Sequence, residues 1–349
     1  MYSNIKNFLE DTNPQAYNFE FECEYENVKA MGGLKRYLVY KATGEADLIS
    51  QYHNAIRLCF HYKEKYPIWT DCDRSDLVRE VYRKLWGWGE EKCDTTYGSV
   101  GLADFEETFG GDTMNSAQTV FDEILKGVAG KGTKEYNKHM KGRNISLLYA
   151  LELYYDLEDA LFSKLLEKEA LLEPYIELYH TLGNFVLVPK GYNTERNKMF
   201  EDFWDRSLAF LQSTDNQYLL EGEFTKYINY FFLWDYVYLR DEANYGVRSM
   251  QSKAFTETRG YSGPSPELNS IMPSDDEIPV FLGNAISAIN RRGIFMTAML
   301  RLASELPEAY KRLRDKVYIS AKPYSGYGAV IEAIRDELGW IPEGLEILQ

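Results

Sequence analysis

The chain holds 349 residues, enough for one large domain or two ordinary ones. A 45% hydrophobic fraction with 28 Tyr and 6 Trp marks a folding sequence, not a disordered one. A net charge of −15 makes general binding to a phosphate backbone unfavourable without excluding nucleic acid, and no apolar run reaches the roughly 18 residues of a spanning helix.

The first residues, Met1 to Asp11, lack a long apolar stretch of secretory type, so the expected location is the cytoplasm, away from membranes. Residues 17–44 alternate weakly and reach Gly32-Gly33, which predicts a small β element near the N-terminus. Helical spacing then dominates. It predicts helices over 46–64 and 75–87, and a long one from Asn144 to about residue 170. Phe185-Val186-Leu187-Val188-Pro189 is apolar, partly β-branched and ended by proline, so 185–189 reads as a short buried extended segment. Residues 198–212 carry another amphipathic helix.

The stretch 227–239 holds seven aromatic residues, from Tyr227 to Tyr238, and reads as a buried helix because no bases are interleaved as in a base-stacking platform. Gly263-Pro264-Ser265-Pro266 marks a mobile loop, and a soft boundary is expected near 245–278. Helices resume at 280–303, 307–317 and 328–338. The expected fold class is mainly α: a compact helical protein, residues 1–349 forming one domain, with the small N-terminal β element and the extended segment at 185–189.

Charge is uneven along the chain. Residues 101–125 carry six acids (Asp104, Glu106, Glu107, Asp112, Asp122 and Glu123) and no base, whereas 284–322 carry eight bases against three acids. Solvated faces of opposite sign are the simple reading; an acidic face docking a basic protein partner is the sharper one. Cys23, Cys59, Cys72 and Cys93 lack the paired spacing of a structural zinc site and read as reduced, packed thiols.

Two segments concentrate chemistry. Gly110-Gly111-Asp112-Thr113-Met114-Asn115-Ser116 precedes an apolar helical run. Its glycines permit unusual backbone, and Asp112, Thr113, Asn115 or Ser116 are expected to cap a helix start that offers free N–H groups to a polar ligand. The second is His180-Thr181-Leu182-Gly183-Asn184, with Asn193 downstream. The candidate catalytic residues are His180, as general base or ligand, and Asp112. The candidate binding residues are Thr113, Asn115, Ser116, Asn184 and Asn193. A divalent metal is a conceivable cofactor without an identified ligand set. A P-loop, a nucleophile elbow and a His-Glu-x-x-His motif are absent.

Gly111-Asp-Thr-Met-Asn-Ser116, His180-Thr-Leu-Gly-Asn-Phe185, Asn193 and Trp204-Asp205 resemble the blocks of an uncharacterised bacterial family. A looser echo lies at Ile289-x-x-Arg292-Gly293-x-x-Met296. His180-Thr-Leu-Gly-Asn184, Asn193, Asn197 and Phe200 are also similar to part of the HNH-type C-terminal domains of modification-dependent restriction enzymes. In those domains an upstream acid–histidine pair activates water beside a divalent metal. Here 144–179 contains no histidine, and His139 has no acidic neighbour. The expectation is therefore a polar-site binding or interaction protein linked to bacterial or phage genome conflict, taking a small polar ligand or a basic protein. The alternative is a metal-assisted hydrolase of degenerate HNH type acting on nucleic acid or nucleotides. The two candidate segments are expected to meet in space.

Overall fold

Helix α1 (Asp76–Trp86) follows from its apolar spacing: Val78, Val81, Tyr82, Leu85 and Trp86 recur three and four positions apart and all are buried, while Arg83 is exposed. It belongs to a computed structural model that describes residues 76–88, 93–94, 99–115, 174–175, 178, 181–193, 203–213, 217–220, 222–250 and 277–349. The described residues are mainly helical, with two small antiparallel sheets.

The larger sheet runs β1 (Cys93–Asp94), β2 (Ser99–Gly101), β3 (Thr108–Thr113) and β4 (Phe185–Pro189), neighbours in that order and all antiparallel. β4 is buried at all five positions, which is why its sequence is a continuous apolar run and not an alternation. Its register against β3 is unbroken from Phe109↔Pro189 to Thr113↔Phe185. Proline can stand at the end of β4 because the next ladder bond is made by Lys190, whose N–H donates to Thr108 O at 2.8 Å.

Further along come α2 (Trp204–Gln212), α3 (Phe224–Tyr230) and the hairpin β5 (Val237–Leu239)–β6 (Tyr245–Val247). Helix α4 (Ile278–Glu305) is 28 residues long and is followed by α5 (Pro307–Leu313) and α6 (Tyr327–Leu338). At about 1.5 Å per residue α4 extends roughly 42 Å. Its inner face carries Phe281, Ala285, Ile289, Arg292, Met296 and Met299, all buried. It packs on α1, on the turn before β4 and on α5. α6 stops where Gly339 takes a left-handed conformation (φ 80°), the usual glycine ending.

Several expectations need correction. Residues 110–113 do not cap a helix; they are the second half of β3. Gly110 and Gly111 lie flat against Val188 and Leu187, and pairing with the apolar β4 outweighs the weak strand propensity of Gly-Gly-Asp. Residues 227–237 are buried apart from the half-buried Asp235, Leu239 is exposed, and the stretch is not one helix. Helix α3 ends at Tyr230, Phe232 adopts φ 59°, a 3₁₀ turn covers Trp234–Tyr236, and β5 follows. The break gives the aromatic rings several directions: Phe231 meets Trp86 edge-on at 5.1 Å and Phe232 meets Phe295 at 4.9 Å. The helix expected over 307–317 changes at Arg314 into a π-helical turn through Tyr318. Strands β1 and β2 were not anticipated.

The N-terminal β element, the helices over 46–64 and 144–170, and most of the loop before residue 278 lie outside the described residues. Of the expected boundary, Tyr245–Val247 form β6, Met250 is buried, and α4 begins at Ile278.

Candidate functional site

The site is built on the turn that leads into β4. Residues Leu182–Asn184 form one 3₁₀ turn, fully buried, lying against α4. Gly183 permits this contact: a Cβ there would lie 1.9 Å from Ile289 O and 2.8 Å from Gly293 N. Only hydrogen fits in that space, so the Leu-Gly-Asn block and the Ile289/Gly293 echo are two sides of one backbone-to-backbone approach.

Asn184 faces the other way and grips the end of β3. Its Nδ2 donates to Asn115 O at 2.9 Å, its Oδ1 accepts from Asn115 N–H at 3.1 Å, and its own carbonyl accepts from Met114 N–H at 2.8 Å. The two segments, 69 positions apart, therefore meet as expected. Beyond the Met114–Asn184 backbone bond that follows the last ladder pair, the asparagine side chain imitates a further peptide unit. Asn115 is 1% exposed and Asn184 0%, so these three bonds form away from water.

The side chain of Asn115 points onward. Its Nδ2 donates to the Tyr236 hydroxyl at 3.1 Å. Its Oδ1 is buried with no hydrogen-bond partner among the described residues. Burial drives the Tyr236 phenol far above its ordinary range; the Asn115 bond and the Arg292 charge pull it back only in part, so the hydroxyl is neutral.

Arg292 is the residue that sequence reasoning passed over. It is 0% exposed on the inner face of α4. Its Nε donates to Phe231 O at 3.0 Å, and its Nη1 donates to Gly183 O at 2.9 Å and Phe185 O at 2.6 Å, the carbonyls on either side of Asn184. Burial pulls its ionisation below the ordinary arginine range, yet a guanidinium stays charged in proteins. Its Nη2 is buried without an acceptor among the described residues. A signal was available: Ala285, Ile289, Arg292, Met296 and Met299 share one helical face, and a base on an apolar face has to be accounted for.

The other candidates divide. Asp112 is buried, at 8% exposure, and its Oδ1 accepts from Thr113 N–H at 2.9 Å. Thr113 is half-buried and pairs with Phe185. Asn193 is not part of the group. It follows the turn after Pro189, while Asn115 and Asn184 stand at the Phe185 end of β4, a strand about 13 Å long. Among the described residues no hydrogen bond joins Asn193 to Asn115 or Asn184. His180 and Ser116 lie outside the described residues. Thr181, next to His180, is buried and its Oγ1 donates to Leu178 O at 2.7 Å.

Acids near the site have structural partners. Asp205 Oδ1 accepts from Arg206 N–H at 3.0 Å and Oδ2 from Met250 N–H at 2.9 Å; burial raises its pKa, with Arg206 and these bonds opposing. Asp235, next to Tyr236, lies 3.3 Å from Arg291 Nε. The acidic and basic stretches also meet internally, Arg314 Nε standing 3.7 Å from Asp104 Oδ2. Among the described residues no group of three His, Cys, Asp or Glu side chains could hold a metal. What the arrangement provides is one charged donor and one neutral acceptor, both buried and each with an atom that has no partner among the described residues. No family model matches this chain, and neither a curated protein nor a solved structure matches it.

Proposed function

We propose that this chain is a polar-site binding protein without catalysis, its centre being the Asn115–Asn184 pair with Tyr236 and Arg292. The observation that carries this reading is the open Oδ1 of Asn115. Among the described residues that acceptor has no donor, and a buried acceptor left unmet is costly unless something meets it. Small polar ligands fit this demand. A basic protein partner fits less well, because the acidic stretch that would receive it is partly engaged within the fold, Asp104 by Arg314 and Tyr230, and Glu107 by the Leu220 N–H. The link to bacterial or phage genome conflict rests on the restriction-enzyme resemblance and stays part of the same proposal.

The alternative, a metal-assisted hydrolase, depends on His180, the residue immediately before the buried Thr181. One set of experiments separates the two. Purified protein is incubated with DNA, RNA and nucleotides in Mg²⁺, Mn²⁺ or Zn²⁺, beside His180→Ala, while thermal shift is measured against a panel of small polar metabolites. The binding reading expects no turnover and at least one stabilising compound whose effect weakens in Asn115→Ala. Turnover lost in His180→Ala would replace it with the hydrolase.

A further inference from the structure

Arg292 poses an electrostatic problem in the core. It is wholly buried, and among the described residues no carboxylate pairs with it. Among the described residues, the ionisable groups that weigh most on it are Tyr327, Tyr236, Tyr82 and Tyr227. Three of these phenols direct their protons to backbone: Tyr327 to Phe232 O, Tyr82 to Val186 O and Tyr227 to Leu187 O. Tyr236 accepts from Asn115. None is a counter-charge. The three carbonyls bound to the guanidinium supply dipoles, not a negative charge, and a buried charge without its opposite is strongly penalised.

Two open valences lie in this neighbourhood. Among the described residues Arg292 Nη2 has no acceptor and Asn115 Oδ1 has no donor. Tyr236 connects them: it is hydrogen-bonded to the same amide and lies within the field of Arg292. Asn184 connects them from the other side, since Nη1 binds the carbonyls flanking it and its side chain holds Asn115.

We infer that this cluster takes a small oxyanion with one protonated oxygen, of the hydrogencarbonate type, as internal counter-ion of Arg292. The charged oxygens accept from Nη2 and the O–H donates to Asn115 Oδ1. The inference rests on the binding reading above and names its ligand. A bare acceptor such as formate leaves Asn115 Oδ1 unmet and places negative charge against it. A neutral amide such as acetamide meets both hydrogen bonds and leaves the charge of Arg292 uncompensated. A bridging water does the same.

The test is thermal unfolding of the full chain at pH 8, at constant ionic strength set with gluconate, titrated with hydrogencarbonate, formate or acetamide. Hydrogencarbonate is expected to raise Tm by roughly 2 °C for each tenfold step above its Kd, formate less, and acetamide not at all. Arg292→Gln removes three backbone anchors and endangers the fold, so Asn115→Asp carries the control. Its carboxylate supplies the counter-charge from within and can accept the Tyr236 O–H. It should fold and lose the hydrogencarbonate response. A flat hydrogencarbonate titration, an equal response to formate, or a full response in Asn115→Asp overturns the inference. A flat anion titration with a rise in acetamide removes the counter-ion and keeps the binding reading. No response to any of the three, with the wild type also unresponsive to the wider metabolite panel, removes both.

Discussion

Asn229 and Asn115 are both buried asparagines, in two regions of the molecule that use the same side chain differently. Asn229, on α3, is closed. Its Nδ2 donates to Ser320 O and Lys322 O, each at 2.9 Å, and its Oδ1 accepts from Trp234 Nε1 at 2.9 Å and the Tyr245 hydroxyl at 2.8 Å. Every hydrogen-bonding position of that amide is filled, and it ties α3, the 3₁₀ turn, β6 and the segment before α6 together. Asn115 has the same capacity and leaves its Oδ1 unmet. A closed polar group fixes a fold; an open one beside a buried cation is what a binding site keeps.

The comparison requires that the open region be held as firmly as the closed one, and Gly183→Ala tests this most severely. A methyl group 1.9 Å from Ile289 O cannot be accommodated by a side-chain shift, because the obstacle is helix backbone. A loss of about 3–5 kcal/mol is expected in urea unfolding. A loss under about 1 kcal/mol would mean that the turn floats on α4 and that Asn115 is not rigidly placed. Asn229→Ala comes next, at about 3 kcal/mol by the same measurement, since it strands two buried donors and two partly buried carbonyls at once.

Asp235 gives the open region a titratable neighbour. Burial pushes its carboxyl from an ordinary 3.8 up to about 6, against the pull of Arg291 and Arg248. The folded state therefore binds more protons than the unfolded one between those values. The contribution to stability is complete below the unfolded pKa and is lost as pH rises through about 6, on the order of 2–3 kcal/mol in all. Unfolding free energies from pH 4 to 8 should show this fall in the wild type. Asp235→Asn should lack it, and parallel profiles for the two proteins would contradict the assignment. The smallest effect is expected at the open asparagine itself. Asn115→Ala loses one hydrogen bond, to Tyr236, while its backbone bonds to Asn184 persist, so about 1 kcal/mol is expected. A cost equal to that of Asn229→Ala would erase the distinction between the two regions.

Much of the framework is written locally. The spacing of Val78, Val81, Tyr82 and Leu85 predicts α1, and the spacing of Phe281, Ala285, Ile289 and Met296 predicts α4. The run Phe185–Pro189 reads as buried extended chain because nothing polar interrupts it. The meeting of 110–116 with 180–184 was also anticipated, and Asn115 and Asn184 bear it out. What escaped was decided by distant partners. Gly-Gly-Asp becomes strand only because β4 lies beside it, and the aromatic run from Tyr227 breaks because its rings fill space on several sides. Arg292 was visible as a base on an apolar face, but its role depends on carbonyls contributed by Gly183, Phe185 and Phe231, more than sixty positions away.

The pairing of β3 with β4 has a kinetic consequence. Phe109 must find Pro189, and Asn115 must find Asn184, across a long stretch of chain, and neither contact is available to a local hairpin search. The entropy of closing such a loop grows only slowly with its length, so native stability tolerates it well. The folding rate does not, because the closure has to be completed before any ladder bond rewards it. The helices α4, α5 and α6 can form by local contacts alone, so refolding should show fast gain of helical signal and a slower phase that reports the docking of β4. Trp88, whose Nε1 donates to Phe109 O at 3.1 Å, stands beside that ladder and is a natural fluorescent reporter of its closure.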